Sequence, residues 1–93
     1  MNIAHQEEVI VEVLEDIQDT ETYDLVVYND DFNTFDHVIK TLIKVCKHSS
    51  EQAEQCTYII HFKGKCAVKT GSMQMLTPMK RAINEAGIDA RIQ

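Results

Sequence analysis

The chain has 93 residues, 44% of them hydrophobic, 6% aromatic and none of them Trp. That composition fits one small globular domain with an aliphatic core and argues against wholesale disorder. Nine Lys and Arg stand against fifteen Asp and Glu, a net charge of −6, so the surface repels phosphate backbones and nucleic acid is a poor partner. Cys46, Cys56 and Cys66, evenly spaced without any CxxC, do not form a disulfide framework and fit a reducing compartment. The opening residues carry no secretory pattern and no apolar run approaches the ~18 residues of a membrane span, so the expectation is a cytoplasmic protein.

Residues 1–21 form an acidic N-terminal extension with Glu7, Glu8, Glu12, Glu15, Asp16, Asp19 and Glu21. Its β-branched run Val9–Leu14 suits an extra edge strand or an arm that orders only against a partner, because neither period is clean. Residues 22–93 are the expected folded domain. Tyr23–Tyr28 is short and β-rich, bounded by polar residues, and predicts a strand. Asn29 to Thr34 is dense in turn formers. Phe35, Val38, Ile39, Leu42, Ile43 and Cys46 then recur on one helical face, with Thr34 or Asn33 as the cap. Ser49 and Gln52 have capping-box spacing and open a second helix, which Gly64 stops in a left-handed conformation. Cys66–Thr70 predicts a short strand. Leu76, Met79, Ile83 and Ala86 predict a third helix, with Thr77 as its cap, Pro78 in its first turn and any turn from Met73 to Leu76 separate or kinked. Asp89–Gln93 is the last strand. The order β-α-α-β-α-β predicts an α+β fold, a small antiparallel sheet of about three strands with three helices packed on it.

Three constellations carry possible chemistry. Cys46, His48, Cys56 and His61 offer soft metal ligands but lack zinc-site spacing, and small buried hydrophobes suit the cysteine positions, so no metal is expected. A Cys or Ser nucleophile paired with His61 lacks a nucleophile elbow and a Gly-rich oxyanion turn, so no catalytic residue is assigned. The third constellation is Asn29, Asp30, Asp31 and His61. On residue types alone the loop is an ordinary tight turn and His61 a solvated helix-end side chain. Yet the loop leads directly into Phe35 and Val38, while Thr57, Ile60 and His61 share a face of the next helix. If the two helices pack as a hairpin, acceptors rim an apolar cavity suited to a cationic group borne on an apolar side chain.

The run Val27-Tyr28-Asn29-Asp30-Asp31-Phe32-Asn33-Thr34-Phe35-Asp36-His37-Val38 resembles the signature of the ClpS adaptors. Gln52-Ala53-Glu54-Gln55 and Ile60-His61-Phe62-Lys63-Gly64-Lys65 resemble the family's second signature. The likeness spans about residues 22–93. It implies a ClpS-like fold and an adaptor of the bacterial N-end rule, which captures proteins by a bulky hydrophobic N-terminal residue. The adaptor would deliver them to a ClpA- or ClpC-type ATP-dependent unfoldase of the ClpP protease, without cofactor. Carried over by position, Asn29 and His61 would bond the substrate's α-amino group with Asp30 beside them. Asp31 and Asn33 would stand at the rim, and Phe35, Val38, Thr57, Ile60 and Ile88 would form the side-chain pocket. Phe35 stands where Met is frequent, Thr57 where Met or Leu is, and Asn33 where Thr is, which leaves side-chain preference open. The stretch from Gly64 to Thr70 departs from the family in being shorter than in many relatives, so a trimmed second strand and an altered unfoldase-docking surface are expected. The competing binding-module reading is a domain like that of the ribosomal stalk, recruiting translation factors. That class needs a Lys-rich helix face, and lysines here are scattered.

Overall fold

A computed structural model describes residues 21–93. All of the acidic extension except Glu21, with the Val9–Leu14 run, lies outside them. The elements are β1 (Tyr23–Tyr28), α1 (Phe35–Cys46), α2 (Ser50–Lys63), β2 (Lys65–Gly71), α3 (Met73–Glu85) and β3 (Ala90–Ile92). The sheet order is β2-β1-β3, with both pairs antiparallel. The expected α+β architecture and element order are therefore present.

Alternation along β1 aims Leu25 and Val27 into a common core with Leu42 and Cys46 of α1, Ile60 of α2 and Leu76 of α3. Each of these is at most 4% exposed, and at ~1.5–3 kcal/mol per buried aliphatic side chain this face drives folding. Burial pushes the Cys46 and Cys66 thiols up to about 11, so both stay protonated at neutral pH and Cys46 behaves as a core hydrophobe.

The caps follow local chemistry. Thr34, not Asn33, starts α1, its hydroxyl accepting from the His37 N–H at 3.2 Å. Ser49 starts α2 by accepting from the Gln52 N–H at 3.1 Å, and Gly64 ends it at φ +93°, where a Cβ would be strained. β2 runs seven residues, one further at each end than the Cys66–Thr70 strand read from the sequence. One expectation is corrected: α3 does not start at Pro78. Ser72 caps it, accepting from the Met75 N–H at 3.1 Å, and the helix runs unbroken through Pro78. The carbonyl that Pro78 deprives of its donor belongs to exposed Gln74, where water can serve.

The ladder between β1 and β2 slips at Val68, which has no partner opposite because Leu25 pairs with Lys69 and Val26 with Ala67. This bulge leaves the Val68 carbonyl free, and it accepts a 2.7 Å hydrogen bond from Nε2 of buried His48. Among the described residues, His48 Nδ1 has no partner.

Candidate functional site

The end of β1 is pinned from two directions. The Tyr28 N–H donates to Asp89 O at 2.9 Å and the Asn29 N–H to Gly64 O at 2.8 Å. The chain therefore leaves the sheet beside the C-terminal end of α2 and the α3–β3 turn. Its loop is then stapled from within. Asp30 Oδ1 accepts from the backbone N–H groups of Phe32 (2.8 Å) and Asn33 (2.7 Å), and Oδ2 accepts from Asn33 Nδ2 at 2.6 Å. Burial raises the Asp30 carboxyl, but these hydrogen bonds outweigh it and hold the group below its ordinary value. Asn33 Nδ2 also donates to Gly87 O at 2.9 Å, and His37 Nε2 donates to Ala86 O at 2.7 Å. Loop and α1 thus both grip the turn that follows α3.

Between this loop and α2 opens a cavity of about 260 Å³. Asn29, Asp30, Asp31, Asn33 and His61 line it with polar groups, and Phe35, Val38, Thr57 and Ile60 complete it. Val38, Thr57 and Ile60 are each at most 8% exposed, so they are the floor. Thr57 Oγ1 donates to Ala53 O at 2.7 Å, which turns the hydroxyl back onto its own helix. Ile88 is the exception among the residues singled out in the sequence. It lines a separate void of about 20 Å³ behind the loop, shared with Asn29, Asp30, Asn33, Val38 and Ile60. It is absent from the lining of the larger cavity.

The lining holds acceptors and no Lys or Arg. Such a mouth suits a donor-only group such as an ammonium, and the floor below it suits an apolar side chain. A larger groove of about 460 Å³ runs between α1 and α3 past His37, Lys40, Lys44 and Glu85. It gathers none of the residues singled out and mixes charges of both signs. Among the described residues, no three His, Cys, Asp or Glu groups are placed to hold a metal ion, and no helix is long and apolar enough to cross a membrane.

Sequence reasoning missed two features. The tie from Asn33 to Gly87 spans 54 positions and leaves no local pattern. Tyr58 and Phe62, by contrast, were visible as an i, i+4 aromatic pair on α2. Their rings stack at 6.0 Å and 4°. Phe35 meets Tyr58 edge-on at 5.4 Å and His61 at 5.0 Å, and His61 meets Phe62 at 5.0 Å.

The model of one protein family, described as ATP-dependent Clp protease adaptor protein ClpS, matches residues 18–90. A ClpS adapter of Thermosynechococcus vestitus is 33% identical over 67 residues, covering 71% of each chain. A second, from Nostoc sp., is 31% identical over 71% of this chain and 69% of its own. The E3 ubiquitin-protein ligase UBR1 of Drosophila melanogaster is 34% identical over 61 residues, 66% of this chain but 3% of the ligase. Among solved structures, Agrobacterium tumefaciens ClpS2 bound to L-phenylalaninamide superposes with a TM-score of 0.72 at 20% identity, covering 78% of this chain and 95% of that one.

Proposed function

The chain belongs to the ClpS family of ATP-dependent Clp protease adaptors, and from that premise we propose that it captures proteins by a bulky hydrophobic N-terminal residue. It then hands them to a ClpA- or ClpC-type unfoldase for degradation, as in the N-end rule. The observation that carries this reading is the cavity: acceptors at its mouth, an apolar floor and no basic side chain in its lining. A free α-amino group donates three hydrogen bonds and has no acceptor of its own. Asn29 Oδ1 and a neutral His61 nitrogen receive it, with the charges of Asp30 and Asp31 close by. The first side chain descends onto Val38, Thr57 and Ile60, with Phe35 at the gate and Asn33 holding the rim.

Two further facts support the reading. The A. tumefaciens protein of the same fold binds L-phenylalaninamide, which joins a free amino group to a benzyl side chain. A protease adaptor and a ubiquitin ligase share this segment but not a chemistry, which suits a recognition module better than a catalyst. Nothing observed favours the stalk-like alternative.

Charge-assisted bonds contribute about 1.5–3 kcal/mol each and a buried Leu or Phe side chain a similar amount. Association costs of roughly 4–15 kcal/mol offset much of this, so modest affinity is expected. Fluorescence anisotropy tests it. Peptides beginning with Leu, Phe or Tyr bind, while acetylated copies and peptides beginning with Met do not. His61→Ala weakens binding at least about tenfold through the lost bond. Equal affinity for free and acetylated peptides would refute the proposal.

A further inference from the structure

Tyr58 is 53% exposed and Phe62 74% exposed, and the cavity uses neither ring. Large aromatics this exposed, stacked face to face, form a hydrated apolar ridge along α2. The ridge is continuous with the cavity. Phe35 and His61 line the cavity and also touch Tyr58 and Phe62 edge-on at 5.4 and 5.0 Å. The other side of the mouth is the loop with Asp30 and Asp31. A peptide leaving the cavity therefore passes between an acidic lip and an aromatic one.

Resting on the reading above, we propose that the Tyr58–Phe62 ridge is a second subsite, which takes the third residue of the captured N-terminal segment and prefers it aromatic or large and apolar. An extended chain sends successive side chains to opposite sides. With the first side chain in the cavity, the second points to solvent and the third returns to the protein about 6.6 Å further along. That step is of the order of the 5.0–5.4 Å that separates the cavity-lining rings of His61 and Phe35 from the ridge rings of Phe62 and Tyr58. Stacking on exposed rings then adds contact without new polar demands.

The test is fluorescence anisotropy on the full chain with three peptides that start with Leu and differ at positions two and three: Gly-Gly, Phe-Gly and Gly-Phe. The Gly-Phe peptide binds about tenfold more tightly than the Gly-Gly peptide, a difference of about 1.4 kcal/mol. The Phe-Gly peptide gains less than twofold. In the Tyr58→Ala/Phe62→Ala double variant, the ratio of Gly-Phe to Gly-Gly affinity falls to about one. A wild-type ratio near one, a preference confined to position two, or a ratio that survives the double variant each overturns the proposal. If the Gly-Gly peptide binds free but not acetylated, a failure of the ratio counts against the subsite alone. If no peptide binds, the first-residue reading fails and the subsite fails with it. Sedimentation in parallel tests a second copy as the occupant: dimerisation abolished by Phe62→Ala, with the peptide ratio unchanged, overturns the subsite.

Discussion

Both oxygens of Asp30 are occupied before any ligand arrives, two backbone N–H groups on Oδ1 and the Asn33 amide on Oδ2. The residue thus shapes the loop and lends charge, while the side-chain amide of Asn29 has no hydrogen-bonded partner among the described residues. Asn33 matters for a similar reason, since its two amide hydrogens join Asp30 to Gly87 and so set the loop against the turn before Ile88. Because the folded Asp30 carboxyl lies below its ordinary value of 3.8, the unfolded chain takes the proton more readily. The stabilisation is then complete above that value and drains away as pH falls through the lower, folded value. Asp30→Ala is expected to cost about 1 kcal/mol at pH 7, the cost of a lost side-chain staple of this kind. In denaturant titrations the gap to the parent should shrink by pH 3. A gap that stays constant would mean the charge has no part in holding the loop.

At the scale of elements, α3 carries a flaw that its context tolerates. Pro78 is the sixth residue of the helix and lies past the first turn, so it removes one interior hydrogen bond. The helix survives because Ser72 caps it and because Leu76 and Ile83 are wholly buried in the core. A proline inside a helix costs about 3 kcal/mol relative to Ala, and part of that is recovered through the stiffer unfolded chain. Pro78 is exposed and little packing is lost with it. Pro78→Ala should therefore raise the melting midpoint by at least about 4 °C, the shift that 1 kcal/mol gives in a domain this small. A lower midpoint would show that the ring packs against something α3 needs. The bulge at Val68 is a second local irregularity with a purpose, since it frees a carbonyl for His48 and ties the start of α2 to β2.

For the whole molecule, charge and fold are segregated along the chain. Residues 1–20 hold six of the fifteen acidic residues and no Lys or Arg, leaving nine acidic and all nine basic residues in 21–93. The part that carries every described strand and helix is thus neutral, and the net charge of −6 belongs to the leader. We propose that the leader is a separate functional unit that does not build the cavity. Removing residues 1–20 should leave affinity for a Leu-initial peptide within about twofold and the melting midpoint within a few degrees, read by anisotropy and calorimetry. A loss beyond about fivefold would place the leader in the peptide site.

The strand at Tyr23–Tyr28, the helix at Phe35–Cys46, the cap at Ser49 and the stop at Gly64 were legible in the sequence because each rests on contacts within a few residues. Apolar period, side-chain oxygens at caps and a glycine at positive φ need no distant partner to declare themselves. The start of α3 was not legible, because local rules put a proline in the first turn and tertiary burial of Leu76 overrode them. The cavity was half legible. The loop and the α2 face announced their residue types, and the family signatures gave their pairing. The fold brings Asn29 and His61 to one mouth, as the signatures implied, and only the fold decided that Ile88 is absent from the cavity lining and that Asn33 clasps Gly87. Those relations join residues tens of positions apart, and contact at that range is set by how the elements pack.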